Sequence, residues 1–268
     1  MDGKIYAIGG VGGLTKVEVY DPETNSWTAR ADMPTGRVLL STSVVEGKIY
    51  AIGGNTSSWG KDLAAVEAYD PETDTWTRKA DMPTARSTLS TNVVGGKIYA
   101  IGGSETLDFD NLITLATVEV YDPVTDSWTA RADMPRGRDI HAAVVVDEKI
   151  YVMGGTGGIN RLELYDPATD SWTRLADLPG AFGFGAVALI DDSIYLFGGG
   201  EFMFPVAIVY EYEVSTDSWT RNPDMPFVAM GTAAGVVNGK AYVIGGTSKK
   251  FPQQGPDLRS VWEYAPER

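Results

Sequence analysis

The sequence predicts an all-β fold, a six-bladed β-propeller built from four-stranded antiparallel blades. Six strand-like segments end in a glycine pair and divide the chain into related units that recur every 44 to 52 residues. In the first five units a tryptophan follows a tyrosine by 7 residues and precedes the next glycine pair by 26. The interval from glycine pair to tyrosine varies from 11 to 19 residues, so length variation is confined to one segment per unit. The pairs begin at Gly9, Gly53, Gly102, Gly154, Gly198 and Gly245.

The first two strands of a unit are predicted to form a hairpin. After Arg86, residues 87–94 end in two valines, and Gly95-Gly96 provides a two-residue turn into a strand over residues 97–101. Turns of this length join antiparallel strands and favour residues that accept a positive φ angle. Equivalent turns occur at Glu46-Gly47, Asp147-Glu148, Asp191-Asp192 and Asn238-Gly239.

The third and fourth strands complete each predicted blade. Residues 118–121 alternate with period two and stop at Asp122-Pro123, because proline cannot donate to a strand ladder. A short fourth strand then carries the tryptophan, as at Trp128. Such a sheet cannot bury both of its faces alone, and stacking sheets around an axis solves this. We therefore interpret the glycines, tyrosines and tryptophans as structural residues that pack between blades.

Length and repeat period predict one domain over residues 1–268. Its glycine-pair strands are expected near residues 4–10, 48–54, 97–103, 149–155, 193–199 and 240–246. Four residues follow Tyr264 and eight precede Gly9, whereas 32 residues separate a tyrosine from the next glycine pair elsewhere. The terminal blades are therefore predicted to be incomplete. Three explanations are open: a trimmed chain, which we favour, a ring completed by another chain, or an unusual closure; we expect a monomer unless another chain completes the blade.

Composition excludes several classes of function. With no cysteine, the chain can form no disulfide and no thiolate metal site, and it has no cysteine nucleophile. The formal net charge of −14 argues against a nucleic-acid partner, which would need a basic surface. No apolar run approaches the roughly 18 residues that a membrane span needs. We expect a soluble protein without membrane partners, located in the cytoplasm, although a mature secreted chain would look the same.

Several segments of the second unit resemble the kelch motif. They are residues 49–54 (Ile-Tyr-Ala-Ile-Gly-Gly), residues 66–70 (Val-Glu-Ala-Tyr-Asp), Trp76-Thr77, and the Asp-Met-Pro of residues 81–83 with Arg86. The pattern repeats along essentially the whole chain, and the resemblance implies a β-propeller but says little about function. Copper radical oxidases of the kelch family need a cysteine and histidines that this chain lacks.

The variable segments are predicted to carry recognition. In an antiparallel blade, the turns after the first and third strands lie at one end, here called the turn end, and the other two connections lie at the loop end. Because all length variation falls at the loop end, we expect ligand-binding residues there. Candidate anchors in its longer loops are Asn55, Trp59, Phe109, Phe202 and Phe204. The alternative for the aromatic residues is that they fold back over the adjacent blade.

The residue ten positions after each tryptophan also lies at the loop end. These residues are Arg37, Arg86, Arg138, Phe182 and Ala229. In kelch propellers that bind acidic ligands, arginines in this place often make the contact, so the resemblance implies a ligand role for the three arginines, and arginine suits carboxylates as a bidentate donor. The alternative is that each arginine pairs with the aspartate of its own Asp-Met-Pro turn.

Catalytic and metal-binding groups are scarce. The single histidine, His141, is interpreted as packed or pocket-lining, and it joins Phe182 in the predicted ligand site. Glu105, Asp108 and Asp110 are able to collect a calcium ion, but such loose spacing is more typical of a solvated loop. We predict no catalytic residue, no metal site and no cofactor.

Three functions are compatible with this pattern. The first is a non-catalytic recognition domain that binds an acidic peptide or a small carboxylate. The second is a small-molecule enzyme acting on an acidic sugar, for which the kelch family offers a mutarotase precedent; the arginines would hold the carboxylate and Glu105 or Glu201 would move a proton. The third is a consensus or designed scaffold without an evolved ligand, because the first three units share the sequence Gly-Lys-Ile-Tyr-Ala-Ile-Gly-Gly.

Overall fold

The computed structural model describes residues 1–10, 14–57, 60–108, 111–156, 159–201, 204–249 and 260–266. The chain divides into two compact units, Met1–Asp139 and Ile140–Arg268. Each unit contains three main antiparallel sheets in chain order and one small two-stranded sheet. No helix in the described ranges is long and apolar enough to cross a membrane.

The first unit begins with a three-stranded sheet and continues with two four-stranded sheets. The first sheet contains β1 (Ile5–Ile8), β2 (Val17–Asp21) and β3 (Ser26–Ala29). The second contains β4 (Ser41–Val45), β5 (Lys48–Ile52), β6 (Val66–Asp70) and β7 (Thr75–Lys79). The third contains β8 (Ser90–Val94), β9 (Lys97–Ile101), β12 (Val118–Asp122) and β13 (Ser127–Arg131), with a separate hairpin of β10 (Ser104–Asp108) and β11 (Asn111–Thr114) between β9 and β12.

The second unit has two four-stranded sheets and ends with a three-stranded one. Its first sheet contains β14 (Ala142–Val146), β15 (Lys149–Met153), β16 (Leu162–Asp166) and β17 (Ser171–Arg174). Its second contains β18 (Ala186–Ile190), β19 (Ser193–Phe197), β22 (Val209–Glu213) and β23 (Ser218–Asn222), with the short pair β20 (Gly200–Glu201) and β21 (Phe204–Pro205) inserted. Its third contains β24 (Met230–Val237), β25 (Lys240–Thr247) and β26 (Val261–Tyr264).

These six main sheets are the six predicted blades. As predicted, the first and last blades have three strands each within the described residues, and the four between them have four. The predicted two-residue turns are also present: Val94 pairs with Lys97 across Gly95 and Gly96, both of which have positive φ. Asp147 and Glu148 adopt the same region at φ 48° and 60°, although neither is a glycine. The single-domain organisation stays a prediction.

The hydrophobic core lies between neighbouring sheets within each unit. In the first unit, Tyr50, Ile52 and Val66 of one blade pack against Ile98 and Tyr121 of the next. In the second unit, equivalent clusters join the first blade to the second and the second to the third. Burial of both sheet faces is the reason that isolated blades of this kind need neighbours.

A polar cluster repeats at the turn end between neighbouring blades. In one case, Asp74 accepts hydrogen bonds from the Tyr69 hydroxyl at 2.6 Å and from the Ala31 backbone N–H of the preceding blade at 2.9 Å. The Trp76 indole donates to the Ala31 carbonyl at 3.0 Å. The same arrangement recurs with Asp126, Tyr121, Trp128 and Ala80, and with Asp217, Tyr212, Trp219 and Ala176. Because the tyrosine-to-tryptophan spacing is constant, the aspartate and the tryptophan of each of these blades bind the same backbone segment of the preceding blade.

This cluster makes the stability of the protein sensitive to alkali. Burial, followed by the hydrogen bond to Asp126, raises the pKa of Tyr121 above its ordinary value of 10.0. At a pH between the ordinary pKa and the raised pKa, Tyr121 has lost its hydroxyl proton in the unfolded chain but keeps it in the folded chain. The free energy of unfolding therefore decreases as pH rises above about 10. We expect the free energy of unfolding of Tyr121→Phe to decline less steeply with pH than that of the wild type, measured by urea unfolding from pH 9 upwards. Identical declines would contradict this assignment.

Candidate functional site

The three arginines that the sequence singles out are fully buried. Arg37, Arg86 and Arg138 have 0% exposed surface. The Arg37 guanidinium donates to the carbonyls of Gly53 at 3.0 Å and Ala65 at 2.7 Å, where the loop between β5 and β6 begins and ends. It also pairs with Glu67 of β6 at 2.5 Å. Arg37 thus joins the entrance of its blade to the second and third strands.

Arg86 repeats this arrangement in the following blade. Its guanidinium donates to the carbonyls of Ala100 at 3.1 Å and Thr117 at 3.4 Å, and it pairs with Glu119 of β12 at 2.9 Å. Burial lowers the pKa of the Arg86 guanidinium, and the charge of Glu119 opposes this effect. An arginine in such a pair stays charged, because the guanidinium group is not deprotonated in proteins.

A threonine completes each of these two clusters. Thr35 donates to the second carboxylate oxygen of Glu67 at 2.7 Å, and Thr84 donates to Glu119 at 2.8 Å. The threonine and arginine stand two residues apart, in the sequences Pro-Thr-Gly-Arg and Pro-Thr-Ala-Arg. We call each set of threonine, arginine and glutamate a buried arginine cluster. Sequence reasoning missed the threonines and glutamates; the available signal was a glutamate within the otherwise apolar third strand.

For Arg37 and Arg86, the alternative pairing is wrong. The aspartates of the Asp-Met-Pro turns pair elsewhere, Asp32 with Lys16 at 2.8 Å and Asp81 with Arg78 at 2.6 Å. The physical reason is the direction of the arginine side chains. Those of Arg37 and Arg86 are buried and reach the third strand of the blade that follows them in the chain. Both guanidinium groups are enclosed and paired in this structure. Ligand binding by Arg37, Arg86 and Arg138 stays a prediction.

The position ten residues after each tryptophan has a shared backbone role. Its carbonyl accepts a hydrogen bond from the second glycine of a pair, for example from Gly54 to Arg86 at 3.0 Å. Phe182 accepts in the same way from Gly155 at 2.7 Å, and Ala229 accepts from Gly199 at 2.8 Å. Phe182 and Ala229 are buried. This contact joins main chain to main chain, so it is the same whichever side chain stands at the position.

The other predicted site residues differ in their exposure, and several lie outside the described part of the chain. His141 and Asn55 are buried. Trp59, Phe109, Asp110 and Phe202 lie outside the described residues, as do the side chains of Asp108 and Glu201. Glu105 is partly buried, and Phe204 is exposed. The predicted ligand site and the calcium alternative therefore stay predictions.

The hairpin of β10 and β11 is the loop-end feature that sequence reasoning missed. The segment with Glu105, Phe109 and Asp110 is predicted from the sequence to be a variable loop, but β10 pairs with β11 from Ser104–Thr114 to Asp108–Asn111. Leu112 and Ile113 are 57% and 45% exposed. Neighbouring residues of a strand point to opposite sides, so both faces of this hairpin present an aliphatic side chain to solvent.

Two exposed cations flank this hairpin. The Thr106 N–H of β10 donates to Asp62 at 2.5 Å, which brings the segment of exposed Lys61 beside one strand. On the other side, Gly137 packs against the end of β11, since a Cβ added to it would stand 2.7 Å from the Thr114 carbonyl oxygen. The residue before this glycine is Arg136, which is exposed. We call Lys61, Leu112, Ile113 and Arg136 the hairpin surface.

Acidic side chains occur at both ends of the blades. At the loop end, Asp32, Asp81, Asp177 and Asp224 are neutralised by neighbouring cations, as in the Arg174–Asp177 pair at 2.6 Å. The turn end carries acidic residues in most of its turns, among them Glu46, Glu72, Asp147, Glu148, Asp191 and Asp192.

Glycine-paired, four-stranded blades with this tyrosine–tryptophan spacing define a kelch-type β-propeller. The chain belongs to the kelch-repeat family: the model of the "KLHDC2/KLHL20/DRC7 Kelch-repeats domain" matches residues 1–199. Propellers of this family are typically protein-interaction domains.

Individual relatives and one solved structure agree with this assignment. Human Kelch-like protein 7 is 46% identical over 163 residues, which cover 60% of this chain and 28% of the relative. Kelch-like protein terF of Aspergillus terreus is 34% identical over 156 residues, covering 58% of this chain and 22% of that protein. The match therefore spans only about a quarter of these relatives.

The solved structure titled "Structure of YjhT" matches 99% of this chain and 92% of its own with a TM-score of 0.83, at 19% sequence identity. This likeness establishes the fold, and the predicted six-bladed β-propeller is confirmed.

Proposed function

We propose that this chain is a non-catalytic recognition domain that binds an acidic peptide segment of a protein at the hairpin surface. The observation that carries the proposal is the pair of exposed aliphatic side chains, Leu112 and Ile113, on a hairpin that rises at the variable loop end. Exposed apolar side chains on a rigid scaffold are typical of interaction sites. Membership of the kelch family supports a protein as the partner.

Two exposed cations beside the hairpin support an acidic ligand. Lys61 and Arg136 lie on its two sides, and the side chain of each is exposed. An extended peptide with one apolar residue and neighbouring carboxylates would place the apolar group on Leu112 or Ile113 and the carboxylates near the cations. Electrostatic complementarity of this kind gives specificity and a faster association rate.

The buried arginine clusters stabilise the strands that carry this surface and do not contact the ligand. Arg86 ties the Thr117 carbonyl to Ala100, so it holds the two strands between which the hairpin is inserted. A carboxylate ligand would have to displace Glu119 to reach the guanidinium. The exposed cations Lys61 and Arg136 need no such displacement.

A peptide-display selection tests the proposal. Peptides enriched on the wild-type protein are expected to be rich in Asp and Glu with an apolar residue, and to bind more weakly as salt is added. Calorimetry then compares the selected peptide with Leu112→Ser/Ile113→Ser, for which we expect a loss of tenfold or more in affinity. The double variant Lys61→Gln/Arg136→Gln is expected to weaken binding and to reduce its salt dependence.

Val124→Ser is the matched control. Val124 is 84% exposed in a turn-end connection, so the substitution removes an exposed aliphatic side chain far from any loop-end contact. This variant is expected to bind the peptide like the wild type. Equal binding by the Leu112→Ser/Ile113→Ser variant would refute the proposed site, and enrichment of basic peptides would refute the proposed ligand class.

A further inference from the structure

Two buried side-chain oxygens at the loop end lack hydrogen-bond partners. Asn55 and Asp62, at the two ends of the loop between β5 and β6, are only 4% and 5% exposed. Within the described residues, the Oδ1 atom of each has no hydrogen-bond partner. Buried polar atoms are nearly always satisfied in native proteins, so two such atoms in one loop point to a bound species.

The backbone places these two side chains together. Asn55 and Asp62 form an isolated antiparallel bridge, and residues directly opposite each other in such a bridge project to the same side, with Cβ atoms about 4.5–5.5 Å apart. The Asn55 Nδ2 group donates to the Gly60 carbonyl at 3.3 Å, which fixes the amide orientation and leaves Oδ1 as the unsatisfied acceptor. Asp62 Oδ2 accepts from the Thr106 N–H, which leaves its Oδ1 atom.

Asp62 differs from the other buried carboxylates described above in its charge balance. Glu67 and Glu119 are each paired with a buried arginine. Asp62 forms no ion pair in the described part of the chain, and the side chain of its neighbour Lys61 is exposed. A buried, unpaired carboxylate is costly, because the charge loses its hydration without compensation. A water molecule satisfies hydrogen bonds at such a site but leaves the charge, whereas a bound cation satisfies the oxygens and balances the charge.

The rest of the loop is rich in oxygen atoms. A Cβ added at Gly60 would stand within 3 Å of both the Thr56 and the Ser57 hydroxyl oxygens, so the loop closes around these groups and has no space for a side chain at residue 60. Hard divalent cations such as Ca²⁺ prefer carboxylate, amide, hydroxyl and carbonyl oxygens. We propose that a hard divalent cation of the Ca²⁺ type binds at Asn55 Oδ1 and Asp62 Oδ1.

This cation would connect two blades. Asp62 contacts the Thr106 N–H of the β10–β11 hairpin, so an ion held by Asp62 stabilises the loop of one blade and, through this hydrogen bond, the hairpin of the next. The inference does not rest on the proposed function, since ion binding is measured without any peptide.

Thermal unfolding and calorimetry of the full chain test the site. With saturating CaCl₂ in place of EDTA, we expect the wild-type Tm to rise by about 5 °C and calorimetry to show one ion per chain. Asp62→Asn is expected to abolish both effects. In EDTA this variant should melt at or above the wild-type temperature, because it removes the unpaired charge and its amide can donate to Asn55 Oδ1.

Glu72→Gln is the matched control. It removes one negative charge from an exposed turn-end residue, so its Ca²⁺ response is expected to equal that of the wild type. No Tm shift and no stoichiometric binding in the wild type would overturn the proposal and indicate a buried water. Retention of the full Ca²⁺ effect by Asp62→Asn, or its loss in Glu72→Gln, would also overturn it, since the ion would then bind elsewhere.

Discussion

Gly53→Ala is expected to destabilise the protein by about 3 kcal/mol or more. Gly53 has φ +63°, a conformation that costs an L-residue about 1 kcal/mol. An added Cβ would also stand 2.5 Å from the Arg86 carbonyl oxygen, which belongs to the backbone at the entrance of the next blade. The backbones of the two blades must then separate, which weakens the hydrogen bond from Gly54 to Arg86 and loosens the packing between the blades.

Gly245→Ala provides a control at the equivalent position of the last blade. Gly245 has φ +70°, but nothing lies within 4 Å of the position of its added Cβ. This variant pays only the conformational cost, about 1 kcal/mol. Urea unfolding of both variants measures the difference, and equal losses would show that the contact between blades contributes nothing to the requirement for glycine.

Arg86→Met is expected to cost about 3–5 kcal/mol, because it leaves the Glu119 charge buried without its partner. The double variant Arg86→Met/Glu119→Leu should recover part of this loss, since no buried charge remains. Recovery will be incomplete because the carbonyls of Ala100 and Thr117 still lose their donor. The measurement is a double-mutant cycle of unfolding free energies.

Arg78→Met is the surface control for this cycle. Arg78 pairs with Asp81 at 2.6 Å, but both side chains are about half exposed, and such pairs are worth less than about 1 kcal/mol. A loss in Arg86→Met no larger than that in Arg78→Met would contradict the assignment of Arg86 to a buried structural cluster. It would also restore the case for Arg86 as a ligand contact.

The blades themselves could be predicted from local patterns. Two-residue turns, period-two alternation and the repeated glycine pairs are properties of neighbouring residues, so they predict hairpins such as β8–β9 without knowledge of the fold. The constant spacing from Trp76 to Gly102 predicted equivalent backbone positions. The structure adds a contact between blades: the residue ten positions after each of the five repeat tryptophans accepts a hydrogen bond from the second glycine of the preceding pair.

The partners of the predicted site residues could not be found in the same way. Arg37 and Glu67 are 30 residues apart, and only the stacking of strands brings their side chains together. Likewise, the β10–β11 hairpin has a register shift between Thr106 and Asp108, so its sequence does not alternate regularly enough to be distinguished from a loop.

By itself, therefore, the sequence determined the six-unit all-β fold, the two ends of each blade and the end at which variation occurs, because turns and strand periods act over a few residues. Only the tertiary structure decided that the arginines at the loop end are buried and paired, that the variable loop of the third blade is a hairpin with exposed Leu112 and Ile113, and that Asn55 and Asp62 form a buried pair. Burial and charge pairing depend on side chains from distant segments, and the repeat spacing specifies where those segments lie but not which of their atoms meet.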